Sequence, residues 1–155
     1  MRVVFSVIWS ILVFGVAGCG NDNPNEPSDA LVLYFNQIST LDVQETRLFD
    51  AIGFARTTAI AGTVSQGLAA YNDIRIQISD FQQVIVTILP PTEVSATHQK
   101  WVRVWQLRME HVDLSIQAIN EGVDPDLILQ SDTKLNESNI LRTQVGQEWD
   151  QIFTA

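Results

Sequence analysis

The chain has 155 residues, with 18 acidic against 9 basic side chains and a formal charge of −9. So acidic a balance excludes nucleic acid as a partner, because phosphates are neutralised by Lys and Arg, and it disfavours adsorption onto anionic headgroups. Cys19 is the single cysteine, so an internal disulfide and a thiolate cluster are excluded and the fold must stand on its core.

Arg2 gives the chain a positive start, Val3 to Phe14 form an apolar run, and Val16-Ala17-Gly18 set small residues against Cys19. The run is too short for a membrane span, which takes about 20 apolar residues, and it has the layout of an export signal. This stretch resembles the lipobox of bacterial lipoproteins, in which an apolar residue and two small ones precede an invariant cysteine. The resemblance implies diacylglyceryl transfer to the Cys19 sulfur, cleavage before Cys19 and acylation of the new amine, typically with palmitate. It makes residues 1–18 a signal peptide. It also implies a membrane partner reached through lipid and a domain in the cell envelope, outside the cytoplasm. Each buried methylene contributes about 0.8 kcal/mol and one chain anchors only marginally, so two or three chains on one cysteine suffice. In the sorting rule of enteric lipoproteins, Asp after the cysteine retains the protein in the inner membrane. Gly20 does not match, so an outer-membrane address is permitted in a diderm cell.

Removal of residues 1–18, which hold Arg2 and no acidic residue, leaves 137 residues at −10, one domain by length. Residues 19–27 comprise the lipidated cysteine and a polar, Pro-containing stretch that reads as a disordered tether. Helix is expected from Ser28 to the end. Ser28 is a candidate N-cap with Asp29 in the first turn. Leu31, Tyr34, Phe35, Ile38, Leu41, Val43, Leu48, Ile52 and Ala55 recur at helical spacing. The chain is expected to turn between Thr57 and Ser65. A second face, Leu68, Tyr71, Ile74, Ile78, Phe81, Ile85 and Ile88, stops at Pro90-Pro91. The β-branched run Val84 to Ile88 has no partner strand and is read as the end of this helix.

Pro91 or Thr92 opens the third helix. Val94, Trp101, Trp105, Val112, Ile116 and Ile119 fall within about 40° of one direction, with Gln99, Arg103, Gln106, Glu110 and Gln117 opposite. Gly122 takes a C-cap position. Asp124 then caps the fourth helix, with Pro125 at its first position. This helix carries Leu127, Leu135, Leu141, Val145, Trp149, Ile152 and Phe153, and a polar middle of Ser131, Lys134 and Ser138. The whole is an all-α expectation: an up-down-up-down four-helix bundle over residues 28–155. The Pro-Pro break followed by a His on the next helix is similar to small helical lipoproteins of bacteria, a resemblance that brings no activity with it.

His98 lies on the Trp101 and Trp105 face of the third helix. It reads either as a ligand or general base, or as a core histidine bonded to a neighbouring helix and packed on Trp101, and the second reading is the expectation. His111 is rotated by about 220° from His98, so one metal ion cannot take both from this helix. Neither Glu-x-x-His nor His-x-x-x-His occurs. Gly-x-Ser-x-Gly and a Gly-rich phosphate loop are absent too. No cofactor or metal is expected. Trp101, Trp105 and Trp149 form an aromatic stripe, read as core packing or, alternatively, as a groove for an apolar ligand or peptide. Lys134 facing inward would need an anion, with Asp73 or Asp80 as candidates, or would snorkel outward.

Two functional expectations follow. The preferred one is a tethered, non-enzymatic binding or structural module with an envelope protein as partner. The alternative is an envelope enzyme or small-ligand carrier with its site near His98, Trp101, Trp105 and Trp149.

Overall fold

A computed structural model describes residues 27–154, so the signal segment, Cys19 and all of the tether but Pro27 lie outside the described residues. Among the described residues the structure is all-α, without strand. Five helices follow one another: α1 (Asp29–Ser39), α2 (Asp42–Ala61), α3 (Val64–Thr87), α4 (Ser95–Asn120) and α5 (Pro125–Thr154), with a 3-10 turn at Thr92–Val94 before α4. No helix among them is long and apolar enough to cross a membrane.

Side chains define the helix ends. Ser28 Oγ accepts from Leu31 N at 3.2 Å, the cap read from the sequence. The expected single first helix is in fact two. Ser39 Oγ donates to the Asn36 carbonyl at 2.9 Å and Thr40 Oγ1 to the Gln37 carbonyl at 2.7 Å. Leu41 N bonds to the Ile38 carbonyl, three residues back. Both hydroxyls take carbonyls of the last turn of α1, where the helical ladder ends.

The first reversal falls at Gly62 and Thr63, within the expected stretch. Thr63 and Gln66 form a capping box: Gln66 N donates to Thr63 Oγ1, and Thr63 N donates to Gln66 Oε1 at 2.9 Å. The β-branched run stays helical to Thr87, and the prolines follow. Gly122 (φ 83°) closes α4 in the left-handed region, and Val123 (φ 67°) follows it there, a strained setting for a β-branched residue. Their turn is held by Val123 N donating to the Ala118 carbonyl at 2.8 Å. Asp124 Oδ1 caps α5, accepting from Asp126 N at 2.8 Å and Leu127 N at 3.1 Å.

Successive helices pack: α2 on α3, α3 on α4, and α4 most extensively on α5. From α5, Arg142 and Asp132 reach back to Glu45 and Arg56 of α2. The α2–α3 contact is close because Gly67 has no side chain; a Cβ there would lie 2.8 Å from the Ala59 Cα. The core contains the expected stripes: Leu31, Tyr34, Phe35 and Ile38 of α1; Leu48, Ile52 and Ala55 of α2; Tyr71 to Ile85 at helical spacing on α3; Trp101, Trp105 and Val112 of α4; and Val145 of α5. Val43 departs from expectation, being 59% exposed, and Phe54 and Ile60 of the same helix are exposed too. Apolar and polar residues of α2 are both spread around its circumference, so its spacing alone does not say which side turns inward.

Candidate functional site

The interior holds three polar groupings, all touching α4. The first surrounds His98. Its Nδ1 lies 3.1 Å from the Tyr34 hydroxyl of α1, and the ring packs edge-on to Trp101 at 5.7 Å and Tyr34 at 5.8 Å. A ring N–H is directed at the Ile85 backbone carbonyl. These contacts select the tautomer protonated at Nε2, with Nδ1 accepting from Tyr34. Burial pulls the His98 pKa below its ordinary value, against the pull of the Ile85 carbonyl. Burial also pushes the Tyr34 phenol up.

The second grouping is built on Glu45, which the sequence reading left out. The residue is only 7% exposed. Oε1 accepts from Trp101 Nε1 at 3.0 Å, Trp105 Nε1 at 3.2 Å and Arg142 Nε at 3.0 Å, while Arg142 Nη2 bonds to Oε2 at 2.9 Å. Two tryptophans of α4 thus use their N–H groups on one carboxylate of α2, and an arginine of α5 forks onto it. Arg108 Nη1 stands 3.9 Å from the same Oε1. The Arg108 guanidinium lies 4.3 Å over the Trp105 ring and 5.1 Å over Phe49, a desolvated cation–π sandwich. Its Nε and Nη1 are buried without a hydrogen-bond partner. Burial brings its pKa down to about 10; Glu45 opposes this and Arg142 adds to it, so Arg108 stays cationic at neutral pH.

The third grouping joins α4 to α5. His111 Nδ1 is 2.7 Å from Ser131 Oγ and 3.0 Å from the Ser131 carbonyl. Ser131 Oγ donates to the His111 carbonyl at 2.9 Å and lies 2.7 Å from Ser115 Oγ. With the single hydroxyl proton of Ser131 given to that carbonyl, His111 Nδ1–H donates to Ser131 and the Nε2 lone pair is left buried without a partner. Burial holds His111 below its ordinary pKa, more than the Ser131 carbonyl and Asp132 restore, while Arg56 adds to the lowering. A serine and a histidine in contact suggest nucleophilic chemistry. His111 and Ser131 are 1% and 2% exposed, so no substrate reaches them in this conformation.

The sequence candidates are therefore placed as follows. His98, Trp101 and Trp105 are buried, and Trp149 is partly buried, 5.5 Å from Trp101 and 6.4 Å from Phe35. Phe81 packs on Trp105 at 4.7 Å. Two surface hollows, of about 230 and 340 Å³, are lined instead by α3–α4 residues around Arg75 and Asp80 and by α4–α5 residues around Leu107 and Ile140. Ser131 and Ser138 do point inward. Lys134 is half-buried and pairs with Glu110 at 3.1 Å and Glu137 at 3.5 Å, not with Asp73 or Asp80. The reason is rotational: Lys134 sits at the edge of the α4–α5 seam, where Glu110 also receives Arg103. Among the described residues no group of three His, Cys, Asp or Glu side chains could hold a metal ion.

A signal for the missed residues was present. Arg108 interrupts the buried stripe Trp101, Trp105, Val112, and Glu45 falls one turn before Leu48. Charges of opposite sign at buried stripe positions on different helices are expected to meet. Comparison of the chain with protein-family models, with curated proteins and with solved structures gives no match.

Proposed function

We propose that the chain is a lipoprotein tethered to a bacterial membrane through Cys19. In this reading its helical part, an up-down-up-down four-helix bundle over residues 28–155, is a non-enzymatic binding or structural module of the cell envelope. The observation that carries the non-enzymatic reading is that the chemistry-bearing side chains are spent on the interior. His98 is bonded to Tyr34, the Trp101 and Trp105 N–H groups go to Glu45, and His111 is closed in with Ser131. The bundle topology is supported by the sequential packing of α2 to α5 and the return contacts Glu45–Arg142 and Arg56–Asp132. The anchor is supported by Val16-Ala17-Gly18-Cys19 and the apolar run before it.

Mass spectrometry of the mature N-terminus tests the anchor. Acylated Cys19 as the first residue is expected, and Cys19→Ser should leave an unprocessed precursor. A cut elsewhere, or a free thiol, refutes tethering. Photo-cross-linkers at the exposed positions Phe54, Leu89 and Ile140 of the membrane-bound protein test the binding module. A discrete protein adduct from one of them supports it; none from any favours the enzyme or ligand-carrier reading.

A further inference from the structure

α1 is attached differently from the other helices. It has 11 residues, fewer than the ~12–15 at which an isolated helix is even marginal in water. Side chains rather than closely packed backbones hold it. Leu31, Tyr34, Phe35 and Ile38 point inward, and Val32 and Leu33 face solvent. Phe35 sits edge-on to Trp149, and Tyr34 sits edge-on to His98. α1 therefore lies over the seam formed by His98, Trp101 and Trp149, the place where a ligand groove was the alternative expectation. The break at Thr40 and Leu41 supplies a joint between α1 and α2.

The polar tie from α1 into this seam is Tyr34 to His98, and it depends on His98 being neutral. Nδ1 is the acceptor for the Tyr34 hydroxyl, while the other ring nitrogen is already directed at the Ile85 carbonyl. A proton on Nδ1 turns that acceptor into a donor. The Tyr34 hydroxyl must then rotate to accept, and its own hydrogen loses its partner on the side where the Trp149 indole N–H is already directed at the same oxygen. A buried donor left unmade is costly. Charged groups on the surrounding elements do not offset the imidazolium. Lys100 of α4 and Glu148 of α5 are paired with each other, and Glu148 also receives the Thr97 hydroxyl. Asp29 of α1, Glu93 of the 3-10 turn and Asp150 of α5 are exposed. α3 offers only the Ile85 carbonyl, and burial dominates what His98 experiences.

We propose that α1 is an acid-released latch: protonation of His98 undocks Asp29–Ser39 and uncovers the seam of His98, Trp101 and Trp149. Hydrogen exchange on the full chain, expressed as protection factors at pH 7.5 and pH 5, reads this directly. Amides of α1 are expected to lose at least tenfold protection at the lower pH, while those of Trp101 to Val112 keep theirs. His98→Gln supplies a permanently neutral side chain whose carbonyl accepts from Tyr34 and whose N–H donates to Ile85, and it should hold α1 protection within twofold at both pH values. His111→Gln, which leaves the latch untouched, should retain the acid loss in α1. Simultaneous loss of protection in α1 and α4 overturns the proposal, because that is global acid unfolding. An α1 loss in His98→Gln equal to that of the wild type overturns it too. If His98→Gln does not fold, NMR titration of the wild type decides: the latch requires α1 opening and His98 protonation to share one midpoint, and separate midpoints reject it.

Discussion

Replacing Glu45 by Gln tests the central grouping with minimal change of shape. The side chain is 9% exposed, so water does little to compensate for what is lost. A Gln carbonyl at the Oε1 position still accepts from Trp101 and Trp105. The amide NH2, however, replaces Oε2 and faces Arg142 Nη2, a donor 2.9 Å away. Arg108, buried to 2% exposure, loses the nearest negative charge. Removing one partner of a buried pair costs about 3–5 kcal/mol, because the remaining charge stays buried and uncompensated. Arg142 is 30% exposed and can turn to water, which places the expected loss near the lower end, about 3 kcal/mol. For a domain of this size that lowers Tm by roughly 10 °C. Urea unfolding followed by circular dichroism at pH 7.5 measures it, with the slope required to stay constant so that midpoints report stability. The loss should also persist at 1 M salt, since a buried pair is screened far less than an exposed one such as Arg56–Asp132. A loss below about 1 kcal/mol, or one abolished by salt, would refute the claim that Glu45 neutralises a buried cation.

Gly67→Ala and Gly53→Ala should have opposite signs. The first drives a Cβ to 2.8 Å from the Ala59 Cα and should cost about 1–3 kcal/mol as α2 and α3 separate; the second meets nothing within 4 Å in a helix interior and should stabilise by about 0.5–1 kcal/mol. Both are read from urea midpoints, and a destabilising Gly53→Ala would contradict the open space beside it. Global stability should fall as the pH drops below 6.5, the ordinary value of the imidazole, because burial lowers His111 and the unfolded chain then binds more protons than the folded one. His111→Gln should reduce that slope between pH 7 and pH 5 and leave the share contributed by buried His98, measured by denaturant midpoints across the range, and an unchanged slope would assign the acid sensitivity elsewhere.

The stripes of α3 and α4 were legible because their apolar residues recur on one side against charged residues on the other. Tyr71 to Ile85 and Trp101 to Val112 are buried as their spacing requires. The caps at Ser28, Asp124 and Gly122 were legible for the same local reason: each depends on residues within one turn. Thr63-Val64-Ser65-Gln66 also carries a capping box, which would have narrowed the first reversal to Gly62 and Thr63. The α1–α2 break was not visible from apolar spacing, because hydroxyl-to-carbonyl bonds at Ser39 and Thr40 leave that spacing intact. Glu45 was missed because α2 mixes apolar and polar residues on every side, so a charge on it could face either way. Its burial is decided by two tryptophans 56 and 60 residues further along the chain.

The three polar groupings occupy successive heights along α4, at His98, at Trp101 to Arg108 and at His111 to Ser115, and each reaches a different set of partner helices: α1 and α3, then α2 and α5, then α5 and, through Tyr71, α3. Apolar stripes by themselves tolerate a slide of one helix on another by a turn, since one branched side chain fills another's place at modest cost. A turn is about 5.4 Å, larger than any of these hydrogen bonds can stretch. A slide of α5 against α4 would therefore strip Glu45 of Arg142 and His111 of Ser131 together, leaving several buried polar groups without partners. The groupings thus narrow the packings open to this core to one register, and they do so most firmly between α4 and α5. The tie to α1 is weaker in kind: it runs through the Tyr34 hydroxyl alone, by neutral hydrogen bonds to the His98 imidazole and the Trp149 indole, with no charge fork. Rigidity is concentrated where charges fork across helices, and the freedom to open is concentrated at the short helix.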